Sequence, residues 1–123
     1  MYLAREHMDD DMLFFHGDFH TPLTPETAGD LAPCLEMVRL GPSAVNHQPW
    51  RLVKVDNALH FYLKRSKGYS SEGRPDMQMV DMGIALCHFE LMAKEKNISG
   101  HITRKEPVID KGELIYVFSW VRE

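Results

Sequence analysis

Between Asp76 and Asn97 the chain carries Met77, Met79, Val80, Met82, Ile84, Ala85, Leu86, Cys87, Phe89, Leu91, Met92 and Ala93, with almost no polar stripe until Lys94. A helix that is apolar around most of its circumference has to be buried on several sides. A chain of 123 residues builds one ordinary core and no second one. This helix therefore demands either a central position or a partner subunit over one face. Gly83 and Cys87, one turn apart, would let another backbone approach closely.

Composition narrows the class. Hydrophobic residues at 44% and charged residues at 26% are the balance of a soluble globular protein rather than a disordered one. A net charge of -4 leaves no overall basic field for nucleic acid. No apolar run is long enough to span a bilayer. The opening residues are too charged for a secretion signal, so the cytoplasm is the expected compartment. Cys34 and Cys87 both fall in apolar helical patterns and read as buried thiols, not a disulfide framework. The expected organisation is a single domain over 1–123, with 1–23 an arm or irregular segment in which the apolar run Met12-Leu-Phe-Phe15 forms a strand or packs on a partner.

Thr24-Pro-Glu-Thr27 opens a helix well, with Thr24 as N-cap and Pro25 in the first turn. Gly29 and Pro33 argue for a break before a firmer helix over 32–40, whose apolar face is Cys34, Leu35 and Val38, with Met37 beside it. Gly41-Pro42 ends it. Two strands at 51–55 and 59–64, separated by Asp56-Asn-Ala58, alternate enough to form a hairpin. A polar loop follows at 65–75. A final strand at 113–122 is nearly continuously apolar and reads as covered on both faces. The fold class is α+β: an antiparallel sheet packed by helices, with a long buried central helix.

The segment Gly41-Pro-Ser-Ala-Val-Asn-His-Gln-Pro-Trp50 joins the 32–40 helix to the first hairpin strand. Its chemistry suits a flat, hydrogen-bonding ligand. Ser43 places a hydroxyl near free backbone N–H groups, a combination that grips a phosphate or a ring carbonyl. Asn46 offers one acceptor and two donors, matching the mixed edge of an isoalloxazine pyrimidine. Gln48 has the same capacity, or else braces the loop. Trp50 supplies flat apolar area. On spacing alone, Ser43 and Asn46 equally suit turns that satisfy their own backbone, with Trp50 as plain core.

This segment resembles the Pro-Ser-Ser-x-Asn-x-Gln-Pro-Trp loop of the nitroreductase family of FMN-dependent oxidoreductases. Val80-Asp-Met-Gly-Ile-Ala-Leu-Cys-His-Phe-Glu-Leu91 is similar to the family's long central helix, with its Asp-x-Gly-x-Ala pattern. Asn97-Ile-Ser-Gly100 is similar to the Gly-Leu-Gly that follows it. His60-Phe-Tyr-Leu-Lys-Arg-Ser-Lys67 most resembles a branch in which one long chain contains two related halves, and this chain resembles the C-terminal half. The resemblance covers 30–102. It implies an FMN-dependent NAD(P)H oxidoreductase acting on nitro compounds or quinones, working as a homodimer. Pro42, Ser43, Ala44, Asn46 and Gln48 are the cofactor-binding candidates it implies. Hydride would pass from NAD(P)H to the flavin and on to the electron acceptor, and the family chemistry needs no catalytic side chain.

The chain departs from the family pattern in two ways. An Arg-Arg-Ser-x-Arg motif that binds the FMN phosphate has no counterpart before residue 30, and Ala44 stands where the loop's second serine is usual. These departures support the alternative of a non-catalytic half-domain, or interaction module, that keeps the dimer surface without binding FMN by itself. Lys64-Arg65-x-Lys67 with Arg74 is a candidate substitute for the phosphate site, set against a solvated hairpin end. His16-x-Asp-x-His20 has metal-like spacing, but Gly17 and Pro22 oppose the helix that would align it. His88 reads as a core or interface histidine, and His47 lies within the key loop.

Overall fold

A computed structural model describes residues 13–41, 48–65 and 76–123. Its elements in chain order are β1 (Phe14–His16), α1 (Pro25–Ala28), a 3-10 turn (Gly29–Leu31), α2 (Ala32–Arg39), β2 (Trp50–Val55), β3 (Ala58–Leu63), α3 (Met77–Glu95), β4 (Gly100–Thr103) and β5 (Ile115–Arg122). One five-stranded sheet runs in the order β1-β2-β3-β5-β4. The α+β reading holds, with one adjustment: β1 lies parallel to β2, so the sheet is mixed. The other three pairings are antiparallel.

Local chemistry explains the helix boundaries. Thr24 accepts from the Thr27 N–H, and the Thr27 hydroxyl accepts from the Thr24 N–H, so a reciprocal cap opens α1. Gly29 at φ 59 ends it after one turn. The chain then tightens through the 3-10 turn into α2, with Pro33 in its first turn, where a missing N–H costs nothing. Cys34, Leu35 and Val38 are the buried face, as the spacing predicts. Asp76 caps α3 by accepting from the Met79 N–H at 3.1 Å.

One face of the sheet carries the core. Phe14, Trp50, Leu52, Leu59, Phe61, Leu63 and Trp120 meet Cys34, Leu35 and Val38 from α2 and Met82, Ala85, Phe89 and Ala93 from α3. Edge-to-face rings order it: Phe89 stands 5.0 Å from Trp120 and 6.1 Å from Phe61. The opposite face is also occupied. Val53 and Tyr62 are fully buried there, with Phe19 edge-on to Tyr62 at 4.9 Å. The segment 104–113 is fastened to this face: the Lys105 N–H donates to the Tyr116 hydroxyl and Lys111 pairs with Glu106.

His60 lies under this second layer at 6% exposure, its Nδ1 2.6 Å from the Ser119 hydroxyl, which is 2.5 Å from the Tyr116 hydroxyl. Burial holds its pKa below the ordinary histidine value, with Glu106 pulling the other way. The folded state thus prefers the neutral ring. The stability this gives is complete above the unfolded histidine pKa of about 6.5 and is lost as pH falls toward the lower folded value. Chemical denaturation from pH 8 to 5 should show stability declining below about pH 6.5, with a shallower decline in His60→Gln.

Of the two arrangements the sequence allowed the helix at 76–97, this chain by itself covers one side and leaves the other open, and two further points differ from expectation. Gln78, Asp81, Met82, Ala85, Phe89 and Ala93 face the core, while Val80, Cys87 and Leu91 lie open, Leu91 at 62% exposure. Cys34 is buried as expected, but Cys87 is exposed, because it shares the open face with Val80 and Gly83. Finally, β4 has no counterpart among the strands expected from the sequence.

Candidate functional site

The bend between α2 and β2 is framed at both ends. Of the cofactor-binding candidates, Pro42, Ser43, Ala44 and Asn46 lie outside the described residues, as does His47. Gln48 is described, at 1% exposure and with φ 49. A non-glycine residue in the left-handed region is uncommon and marks a constrained position. Its side-chain Nε2 donates to the Arg39 carbonyl at 2.7 Å, bridging the last residue of α2. This bond is a brace of the kind the sequence offered Gln48 as one of its roles.

The two ends meet different elements. At the entry, Gly41 sits against α3: a Cβ added there would lie 3.2 Å from the His88 ring and 3.3 Å from the Val38 carbonyl. His88 is therefore a packing histidine beneath the bend. At the exit, Arg51 has one terminal nitrogen donating to the carbonyls of both Gln48 and Trp50 at 2.7 Å. Arg51 is 7% exposed, and burial lowers its pKa to about 10. Its role is absent from the sequence reading, since alternation places residue 51 beside Tyr62 on the second face and gives no sign that the cation folds back along its own strand. Trp50 is fully buried, and its indole N–H finds no acceptor among the described residues. A buried donor in that condition is costly unless a further group meets it.

The cationic candidates divide. Arg65 makes two bonds to the Asp76 carboxylate, 2.7 and 2.6 Å, so it clasps the start of α3 rather than extending as a free solvated cation. Lys64 is exposed; Lys67 and Arg74 lie outside the described residues. Asp76 combines helix cap and ion-pair partner, so Asp76→Ala should cost about 1–2 kcal/mol in equilibrium unfolding. Asp76→Asn, which keeps the cap, should recover most of that loss. In the His16-x-Asp-x-His20 segment, Asp18 accepts from the His20 and Thr21 backbone N–H groups at 2.9 and 3.0 Å. That is a turn, and no metal-ligand cluster occurs among the described residues.

On α3 an open stripe is formed by Val80, Gly83, Cys87 and Leu91, which recur at helical spacing on one side. Among the described residues nothing lies within 4 Å of a Cβ built on Gly83. The stripe continues into an open groove that Asn97, Gly100, Trp120 and Glu123 help to line. α3 is thus a 19-residue helix with one packed side and one exposed side, where Val80, Cys87 and Leu91 lie with Glu90 and Lys94, and its His88 ring lies close to Gly41 at the end of α2.

Residues 21–93, which span the bend and most of α3, match a protein-family model described as "Putative TM nitroreductase". The chain belongs to this nitroreductase family. A crystal structure of a putative nitroreductase from Thermotoga maritima is similar in fold, with a TM-score of 0.61 at 22% sequence identity. The alignment covers 98% of this chain and 43% of that one, so this nitroreductase-family chain spans less than half the length of its structural neighbour. No curated protein matches it. No helix among the described residues is long and apolar enough to cross a membrane.

Proposed function

We propose that this nitroreductase-family chain is a flavoprotein half-domain, corresponding to the C-terminal half of a two-half family member, and that it acts as an FMN-dependent NAD(P)H oxidoreductase on nitro compounds or quinones once a second copy covers α3. The observation that supports this reading is the exposed apolar side of α3 at Val80, Gly83, Cys87 and Leu91, the side left for a second copy to cover, in a chain whose residues 21–93 match the family.

The residues present are compatible with such a ligand. The Trp50 indole N–H, buried at the exit of the bend without an acceptor among the described residues, is a donor of the kind that ring carbonyls satisfy. Ser43 and Asn46 would orient the ring through hydroxyl and amide contacts, with Pro42 and Ala44 setting the approach of the backbone. When bound, FMN supplies the hydride transfer, and the chain supplies orientation and a cleft open to alternating substrates. Lys64 is the described cation at the end of β3 that is exposed to solvent and available to a phosphate. The cytoplasm is the compartment that suits NAD(P)H as donor.

A second reading has its own support. Arg65 is held by Asp76, which removes one member of the substitute phosphate cluster and favours a half-domain that pairs without holding FMN by itself. Purified protein separates the two readings. Yellow protein with a flavin spectrum, or colourless protein that takes up added FMN, supports the flavoprotein. Colourless protein that takes up none leaves the interaction module. Given uptake, Ser43→Ala combined with Asn46→Ala should weaken retention at least tenfold in a fluorescence titration. Unchanged retention would remove both residues from the site.

A further inference from the structure

The second face of the sheet is closed by the segment 104–113, which joins β4 to β5 and is held by a few polar anchors. Arg104 lies over the Tyr116 ring at 5.9 Å, and the Lys105 N–H donates to the Tyr116 hydroxyl at 2.8 Å. Glu106 accepts from the Lys111 ammonium at 2.7 Å and from the Tyr62 hydroxyl at 3.4 Å. Other bonds are internal turns, from the Ile109 N–H to the Pro107 carbonyl and from the Gly112 N–H to the Asp110 carboxylate. Val108 at the tip is fully exposed.

Beneath the segment the hydrogen bonds form a line with a direction. An amide N–H can only donate, so the Tyr116 oxygen accepts from Lys105 and its own proton can go to Ser119 at 2.5 Å. The Ser119 proton then goes to His60 Nδ1 at 2.6 Å. Every proton sits on a short bond only when Nδ1 accepts, which requires a neutral ring. A protonated ring donates from Nδ1 into Ser119 instead. The serine proton must then turn to the Lys105 carbonyl at 3.4 Å, or back at Tyr116, whose own proton is left without an acceptor.

We propose that the 104–113 segment is a strap that leaves the second face of the sheet when His60 takes up a proton. The strap works in the same way whether or not the chain holds FMN.

The new charge would find little to offset it. On the same face β5 presents the Tyr116 and Ser119 hydroxyls, β3 presents Tyr62, β2 presents Arg51, and β4 presents His101, which pairs with Glu123 at 3.3 Å. The strap adds Arg104, Lys105, Glu106 and Lys111. Of these, the Glu106 carboxylate favours a charged ring, and it is already shared with Lys111. Burial outweighs it, so the strapped form keeps the ring neutral. The strap is therefore held above the ordinary histidine value of about 6.5 and let go as pH falls toward the lower value of the strapped form.

The test follows the wild-type chain by NMR between pH 8 and pH 5, reading the His60 ring resonances together with amide protection factors. Protection at Lys105 should fall at least tenfold in step with His60 protonation, while amides of the β3–β5 pairing stay at least 100-fold better protected than Lys105 throughout. Glu106→Gln should keep that step and move it to lower pH, because the amide no longer favours the charged ring. His60→Asn, which keeps an acceptor near the Nδ1 position and cannot titrate, should hold Lys105 protected over the whole range. Ser119→Ala, which cuts the line next to the ring, should leave Lys105 poorly protected at both ends of it. Lys105 protection that stays unchanged while His60 titrates overturns the strap, as does a ring that remains neutral down to pH 5. A step that disappears in Glu106→Gln or survives in His60→Asn assigns it to another group and overturns the role of His60. Equal protection at Lys105 and across the β3–β5 pairing would mean exchange by whole-domain unfolding, and no separate strap.

Discussion

Gly100→Ala is expected to cost about 3 kcal/mol, the upper end of what overpacking a core does. A Cβ at residue 100 would lie 2.2 Å from two carbons of the Trp120 indole and 2.7 Å from its nitrogen. The ring is 2% exposed and braced by Phe89 at 5.0 Å, so yielding means displacing the aromatic centre of the core or peeling β4 from β5. For a domain of this size the melting temperature should fall by about 10 °C or more. The pairing can be checked by a cycle. Gly100→Ala combined with Trp120→Phe should be less destabilised than the two single changes added together, because the smaller ring vacates the overlapped space. Strict additivity would mean that the contact is not the source of the loss.

The second large effect concerns association. If a second copy covers α3, Val80→Glu with Leu91→Glu should raise the dimer dissociation constant at least 100-fold. Both residues are more than 40% exposed on the same side of the helix, so the monomer loses nothing from its own core. Across a two-fold axis the four carboxylates would meet like charge on apolar ground, and each tenfold loss corresponds to about 1.4 kcal/mol. Light scattering should show the wild type at twice the mass of the variant, and circular dichroism should be the same for both. Wild-type protein that is itself monomeric at high micromolar concentration would remove the second copy from the proposal.

How much of this is legible in the sequence depends on the kind of signal. The face of α2 is read correctly because Cys34, Leu35 and Val38 follow the helical period and Pro33 marks the start. The hairpin is legible from the alternation of Leu52, Leu59, Phe61 and Leu63 around Asp56-Asn57. For α3 the same composition misleads. Hydrophobic residues surround the helix, and the pattern alone cannot separate a side covered by this chain from a side kept for another. Cys87 is misplaced for that reason. The short β4 is hidden because its reason for existing is a long-range one, the seat that Gly100 makes for Trp120. At the bend, residue types suggest a ligand-facing surface, and the nitroreductase resemblance identifies the family. The Gln48 φ angle and the folded-back Arg51 are consequences of three-dimensional closure, which no spacing rule contains.

The position of β5 has a consequence for how this molecule is made. It pairs with β3 on one side and β4 on the other, so an interior place in the sheet is filled by the last of these five strands in chain order. While a ribosome is still producing the residues before Ile115, β3 has an open flank and Phe61 lacks its lid from Phe118. The nascent chain must carry that exposed edge for the length of α3 and the following loop before it can close. The sheet of such a chain closes only after Arg122 has been made, and until then the open edge of β3 is where pairing with the wrong strand is easiest.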